Sequence, residues 1–239
     1  MLLERQDIEV NATNINGATP LHLATFHKKS DNAISLLNQK AIEMNVQDSF
    51  SNTPLHLAPK EGSDKIIVAL LSHPDIDVNI QNNSGLIAFA SAEAFNMSTC
   101  AQLILKRKDY DVNLVDKYNQ SPLHFAVFNK CKRLIELLLT RPEINVASRD
   151  VNNWTVHHFA AGHGTTEILS LFLNRSCVDM NAQNNSGLTL LHVSIYNSRE
   201  VLDELLKCKA VDVHTRTHAG MTPHIMICSI NHQSVLSFF

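Results

Sequence analysis

Several residue types and patterns are scarce in this sequence, and each shortage excludes something. Its 239 residues include only seven glycines and seven prolines, too few for a collagen-like or Pro-rich low-complexity chain. Five cysteines, Cys100, Cys131, Cys177, Cys208 and Cys228, are scattered and odd in number, and no two form a CxxC pair. That argues against a disulfide framework and for a reducing compartment. No apolar run approaches the ~18–20 residues of a membrane-spanning helix. The opening Met1-Leu2-Leu3-Glu4-Arg5 lacks the basic and apolar regions of a secretory leader. Charge of one sign is also missing: 20 Lys and Arg against 23 Asp and Glu leave a net charge of -3. There is therefore no basic field to hold nucleic acid or an anionic membrane. With 44% apolar and 18% charged residues, the chain reads as neither disordered nor a coiled coil.

What the sequence does have is repetition. Thr19-Pro20-Leu21-His22 returns as Thr53-Pro54-Leu55-His56 and Ser121-Pro122-Leu123-His124. Looser copies follow at Thr155-Val156-His157-His158, Thr189-Leu190-Leu191-His192 and Thr222-Pro223-His224-Ile225, and a weak one lies at Ile87-Ala88-Phe89-Ala90. The leading residues stand at 19, 53, 87, 121, 155, 189 and 222, 34 apart with a final 33. A second column, an acidic-Val-Asn phrase, ends at Asn11, Asn45, Asn79, Asn113, Ala147, Asn181 and His214 with the same spacing.

Each unit reads as helix, turn, helix, hairpin loop. Thr is a good N-cap, and a proline just inside the helix loses no hydrogen bond there. A small residue such as Ala24 lets neighbouring helices approach. The second helix carries the larger apolar stripe, as in Ile66–Leu71 or Leu134–Leu139. The Asp/Asn/Gly-rich stretch before each Thr is turn chemistry. Pro59 falls inside a predicted first helix, where it removes a hydrogen bond. The expected fold is an all-α solenoid of about seven helix-turn-helix units with hairpin loops. It forms one array over 1–239, in which 1–18 end a preceding repeat and its loop and the last repeat is truncated. Leu2-Leu3 and Phe238-Phe239 share one phase of the repeat. The chain therefore reads as a segment of a longer array, with fraying ends that self-associate.

Thr-Pro-Leu-His-x-Ala at a period near 33 resembles the ankyrin repeat, and the resemblance covers essentially the whole chain. It implies a structural role for His22, His56, His124, His158 and His192, tying loop to helix. Ala90 and Ile225 stand where two further histidines would be. A glycine column between the helices holds Gly62 and Gly164 but elsewhere Lys28, Asn96, Lys130, Ser198 and Asn231, where lysine strains a left-handed backbone. A finer likeness runs from Leu71-Ser72-His73-Pro74 through Gly85-Leu86 and Phe89-Ala90 to Ile104-Leu105-Lys106-Arg107. It resembles the arrays of the rabankyrin-like BTB/ankyrin/FYVE endosomal proteins. That likeness implies a role at the cytosolic face of endosomes, with a Rab GTPase as partner. FYVE zinc ligands are absent from this chain, so neither lipid nor zinc binding is assigned.

Thirteen histidines invite a metal reading. His158 belongs to the repeat, however, His214 and His218 span a predicted loop, and no cysteine pair completes a tetrahedral set. No Gly-x-Ser-x-Gly or glycine-rich phosphate loop occurs. The expectation is no cofactor, no metal and no enzyme site. Ankyrin arrays of this kind are also hydroxylated on Asn, which makes Asn79 a candidate, although Asn in these loops also bonds the backbone.

The resemblance implies a concave binding face of loop tips and first-helix ends. Those columns hold Phe50, Tyr118 and Trp154 at the tips and Phe26, Phe95, Phe128 and Tyr196 at the helix ends. They account for seven aromatics with no duty in the repeat, residues enriched at binding hot spots. Mixed charge nearby, from Lys60, Glu61 and Lys117, points to a protein partner, without nucleic acid, membrane insertion or small-molecule substrate. The expected function is a non-catalytic protein-binding scaffold within a larger adaptor. The alternatives are a substrate-recruiting segment of a ubiquitin ligase and the cytosolic arm of an ion channel.

Overall fold

The structure is a computed structural model that describes residues 8–61, 64–88, 98–173 and 179–230. Phe95, Gly62, Asn96, Asn231 and the two chain ends lie outside the described residues. The described residues form helices and turns, joined by one isolated bridge between Arg149 and Thr155.

The chain divides into two compact units, Met1–Lys117 and Tyr118–Phe239. In the first, α1 is Pro20–Phe26, α2 Ser30–Leu37, α3 Pro54–Glu61, α4 Asp64–Leu71 and α5 Ser98–Leu105. In the second, α6 is Pro122–Phe128, α7 Lys132–Leu139, α8 Val156–His163, α9 Thr166–Leu173, α10 Leu190–Ser194, α11 Arg199–Leu206 and α12 Pro223–Ile230. Within the first unit α1 packs on α2 and α3, and α4 on α2, α3 and α5. Within the second, α8 packs between α6 and α10, and α9 between α7 and α11. First helices thus stack on first helices and second on second, the arrangement expected of a solenoid.

These helices are one to two turns long and would not persist alone. Burial holds them. The second helices bury one stripe each: Ile66, Ile67 and Leu70 in α4; Leu134, Ile135 and Leu138 in α7; Ile168, Leu169 and Phe172 in α9; Val201, Leu202 and Leu205 in α11. One further column, a repeat apart, closes the core beneath the loops: Val10, Met44, Val78, Val112, Val146 and Met180 are all buried, and Val213 is the exposed end of the series. At about 1.5–3 kcal/mol per buried aliphatic side chain, this stripe outweighs local propensity.

A clamp built from the repeated Thr and His starts the first helices. Thr19 caps α1: its backbone N–H donates to His22 Nδ1 (3.1 Å), and its Oγ1 lies 2.8 Å from the same nitrogen. The other ring nitrogen, His22 Nε2, donates to the carbonyl of Asn52 in the next repeat (3.0 Å). Because Nδ1 accepts a backbone N–H, the proton must sit on Nε2. The pattern repeats at Thr53/His56 to Leu86 O (2.9 Å), Thr155/His158 to Leu188 O (3.1 Å) and Thr189/His192 to Met221 O (3.1 Å). Each clamp joins an N-cap, a contribution of about 1 kcal/mol, to a bond between neighbouring repeats. His124 is the exception. Its Nδ1 accepts the Ser121 N–H (3.1 Å), but its buried Nε2 faces the Trp154 carbonyl without closing a hydrogen bond.

The hairpins are held by two further devices. An Asp or Asn at the base of five hairpins accepts two loop N–H groups: Asn14 from residues 16 and 18, Asp48 from 50 and 52, Asn82 from 84 and 86, Asp150 from 152 and 154, Asn184 from 186 and 188; in the final hairpin, the Thr217 hydroxyl accepts the Met221 N–H. Hairpin tips then bond tip to tip, one backbone hydrogen bond per step. In the first unit Ser49 N–H donates to Asn16 O (2.9 Å), Asn83 to Phe50 O (3.0 Å) and Lys117 to Ser84 O (3.3 Å). In the second, Val151 donates to Tyr118 O (2.9 Å), Asn185 to Asn152 O (3.0 Å) and His218 to Ser186 O (3.1 Å). Gly17, Gly85, Gly187 and Gly220 turn the tips with positive φ, as do Ser51, Asn119 and Asn153.

The interhelix turns depart from one expectation. Gly164 has φ -73 and ψ 177, an extended conformation, because α8 runs on through Gly162 to His163. A Cβ on Gly164 would meet the Ala160 carbonyl oxygen at 2.4 Å. Close approach, not left-handedness, is what this glycine supplies.

Candidate interaction surface

The candidate aromatics separate by exposure. Phe50 (67%), Tyr196 (65%), Phe128 (54%), Tyr118 (52%) and Phe26 (45%) all present large apolar area to solvent. Phe50 and Tyr118 sit on hairpin tips whose carbonyls accept the next tip's N–H, so an ordered backbone displays their rings. Phe26 and Phe128 end α1 and α6, each with a histidine at its ring edge: His27 at 5.2 Å and His163 at 5.4 Å between ring centroids.

Trp154 differs from its expected surface position. It is only half exposed, because the indole folds back onto His158 and Phe159, with both ring centroids 5.8 Å away. Its backbone N–H is held by Asp150 (2.8 Å), as at the equivalent place in other hairpins, and it is the ring that packs back onto α8. Phe95 lies outside the described residues. Sequence reading passed over Ile15, Leu23 and Val151, which are all exposed. A β-branched apolar residue at an Asn-rich tip was the available signal for Ile15 and Val151. Val151 donates its N–H to Tyr118 O, so the two stand side by side on the second unit's tips.

The candidate Asn79 is fully engaged. Its Nδ2 donates to Asp109 O (2.6 Å) and its Oδ1 accepts the Asp111 N–H (2.8 Å). Asn45 does the same to Asp75 and Asp77, Asn11 to Ala41 and Glu43, and Asn181 to Ala210 and Asp212. These amides bond the loop of the next repeat rather than their own.

The five motif histidines and His157 are tuned away from acid-base work. Burial is the first cause of a lowered pKa at His22, His56, His158 and His192, and it pushes His124 and His157 down to about 4. They are neutral structural groups at pH 7. Among the described residues, no three His, Cys, Asp or Glu side chains converge to hold a metal ion, and no helix is long and apolar enough to cross a membrane. An opening of about 360 Å3 in the second unit has apolar walls of Leu191, Leu202, Leu206, Val213, Pro223 and Ile227, with His214, Thr222 and His224 also on its lining, and Cys228 Sγ lies 3.8 Å from His224 Nε2.

The repeated clamp, the stacked helix pairs and the hairpin ladder define an ankyrin-type interaction module, and sequence comparison agrees. The model for ankyrin repeats, in three copies, matches residues 1–82 and 135–217. The chain belongs to the ankyrin-repeat family, whose repeats bind protein partners and are typically non-catalytic. Among solved structures it is similar to the ankyrin repeat domain of Bcl-3, a member of the IkappaB protein family. The identity is 30% and the TM-score 0.68, covering 87% of this chain and 90% of that one. It shares the fold of a chain in the complex of the Bd0816 predatory endopeptidase with immunity protein Bd3460 from Bdellovibrio bacteriovorus. There the identity is 22%, the TM-score 0.70 and the coverage 80% and 99%. It also shares the fold of EF0377, an ankyrin repeat protein, at 22% identity and TM-score 0.65, with coverage of 73% and 89%. No curated protein matches the chain.

Proposed function

We propose that this chain is a binding scaffold whose partner is a protein, held by the exposed aromatic side chains of its hairpin tips and first-helix ends. The exposure of Phe50, Phe128, Tyr118 and Tyr196 carries the reading. Exposed aromatics on a backbone that is already ordered bind with little loss of conformational freedom. The Bcl-3 domain and the Bd0816–Bd3460 complex show this fold in proteins of quite different settings, so the surface side chains, not the fold, choose the partner.

The finer reading is an adaptor segment at the cytosolic face of endosomes with a Rab GTPase as partner. It draws on the phrase from Leu71 to Arg107. Part of that phrase has a local reason: Arg107 donates to the carbonyls of Leu71 (3.0 Å) and Ile76 (3.2 Å) and pairs with Asp109 (2.6 Å). A substrate-recruiting segment of a ubiquitin ligase and the cytosolic arm of a channel use the same surface, and the captured partner decides among them.

The test is quantitative affinity capture with the chain and with a Tyr118→Ala/Phe128→Ala/Tyr196→Ala variant of matched helicity. Each ring removed from a hot spot costs about 2 kcal/mol, roughly 30-fold in affinity, so the specific partner should vanish from the variant. Thermal unfolding should shift little, because these rings are exposed. An unchanged partner list would sink the proposal.

A further inference from the structure

Two interhelix turns keep a strained backbone that a glycine would relieve. After α6, Asn129 N–H donates to Phe125 O (2.9 Å), Lys130 to Val127 O (3.0 Å) and Cys131 to Ala126 O (2.9 Å). This is a Schellman closure, and Lys130 occupies the left-handed position with φ 57, where glycine is usual. After α1 the same bonds recur, with Lys29 N–H donating to Ala24 O (2.8 Å) and Lys28 at φ 56. A left-handed non-glycine residue is strained, and persistent strain of this kind clusters at ligand clamps and other functional sites.

The side chains of the second unit's turn say what that contact is. Lys130 is exposed, two residues beyond the half-exposed Phe128. Exposed Lys132 and Arg133 follow at the start of α7. Glu167 lies close enough to Lys132 to feel its charge, and exposed Glu136 stands a turn further along α7. Lys130 itself precedes that helix, with asparagine and cysteine as its neighbours in sequence. The whole chain is net acidic at -3, whereas this turn sets three cations within four residues beside an exposed ring.

We infer that the turn at Phe128–Arg133 receives an acidic segment of the partner protein. An apolar residue of that segment sits on Phe128 and a carboxylate sits against Lys130. This rests on the aromatic-surface reading above and gives it a partner chemistry. Lys130 stays at a glycine position because its cation reads the carboxylate, and the backbone strain is tolerated for that contact.

The experiment uses the full chain and two labelled synthetic peptides of about twelve residues, read by fluorescence anisotropy. One peptide alternates Glu and Asp with Leu and Phe anchors, and the other replaces every Glu and Asp by Gln and Asn. The acidic peptide should bind at least about tenfold more tightly than its amide twin at low salt, and most of that margin should vanish as salt screens the charges. Lys130→Gly should weaken the acidic peptide about fivefold or more and, in the same sample, raise the denaturant midpoint by relieving the strained turn. Phe128→Ala should weaken both peptides. Equal binding of the two peptides, no binding of either, or Lys130→Gly that stabilises without weakening the acidic peptide would each overturn the inference. Phe128→Ala without effect, alongside a Lys130→Gly loss, would instead remove the aromatic reading on which it rests.

Discussion

Taken from pH 7 to pH 5, the protein should lose roughly 4 kcal/mol of stability, most of it from the second unit. Two buried histidines are responsible. His124 and His157 are pushed down to about 4 from an ordinary 6.5, first by burial and, for His157, also by the neighbouring His158 and His124. Neither Nε2 has a hydrogen-bond partner. His157 is instead packed edge-on against Phe172, 5.2 Å between ring centroids. The unfolded chain takes up protons near pH 6.5, before the folded one does. Stability is therefore complete above that value and drains as pH falls toward the folded pKa. At pH 5 each such histidine accounts for about 2 kcal/mol, against a total of about 5–15 kcal/mol for a typical domain. The clamp histidines His22, His56, His158 and His192 are shifted the same way and add to the loss. Asp109, held low by its hydrogen bonds to Arg107, acts only below about pH 4, near the unfolded carboxylate value, and does not blur the window. Urea unfolding followed by circular dichroism at pH 7, 6 and 5 measures the effect. His157→Leu should remove up to half of the acid loss. A midpoint that stays level from pH 7 to 5 would refute the assignment.

The second large effect should come from one methyl group. Gly187 has φ +75, and a Cβ built there would lie 2.6 Å from the backbone nitrogen of His218 and 2.9 Å from its ring. Gly187→Ala therefore forces a left-handed alanine, at about 1–2 kcal/mol, and separates two hairpins. That separation opens the 3.1 Å bond from His218 N–H to Ser186 O, a further ~1 kcal/mol. A total of about 2–3 kcal/mol is expected from these terms. Gly220 supplies the control: its φ is also +75, but nothing lies within 4 Å of its Cβ position. Gly220→Ala should cost only the conformational part, about 1–2 kcal/mol. Equal losses in the two variants by denaturant titration would mean that hairpin contact contributes nothing.

The family, the all-helical architecture and the helix starts were readable because one residue pattern was written several times. Thr before Pro-Leu-His marks a cap, and a 34-residue recurrence fixes which side chains meet. What escaped the sequence depends on distances between repeats. The Asn column looked like local loop chemistry, yet Asn45, Asn79 and Asn181 bond the next repeat, a distinction no single unit contains. Trp154 was placed at the surface by its column. Whether its indole turns out or folds back depends on the rings it can reach, here His158 and Phe159, each 5.8 Å away between centroids. Gly164 occupies the glycine column but not the left-handed conformation, because α8 continues further than α6. Phe50, Tyr118 and Tyr196 are exposed in the columns where the sequence analysis put them, but exposure alone does not name what they bind.

The hairpin ladder has a mechanical consequence. Within each unit, successive tips are joined by one backbone hydrogen bond, and consecutive bonded donors are 33 or 34 residues apart. Such links carry tension in series: the load on one is the load on all, and the weakest yields first without unloading its neighbours' helices. A pulled chain of this kind gives way in steps rather than at once. Each step frees one repeat's worth of backbone, about 110–120 Å at 3.3–3.6 Å per extended residue. The fold is in that sense a spring with a stepped release, and its stroke is set by the same repeat length that organises its sequence.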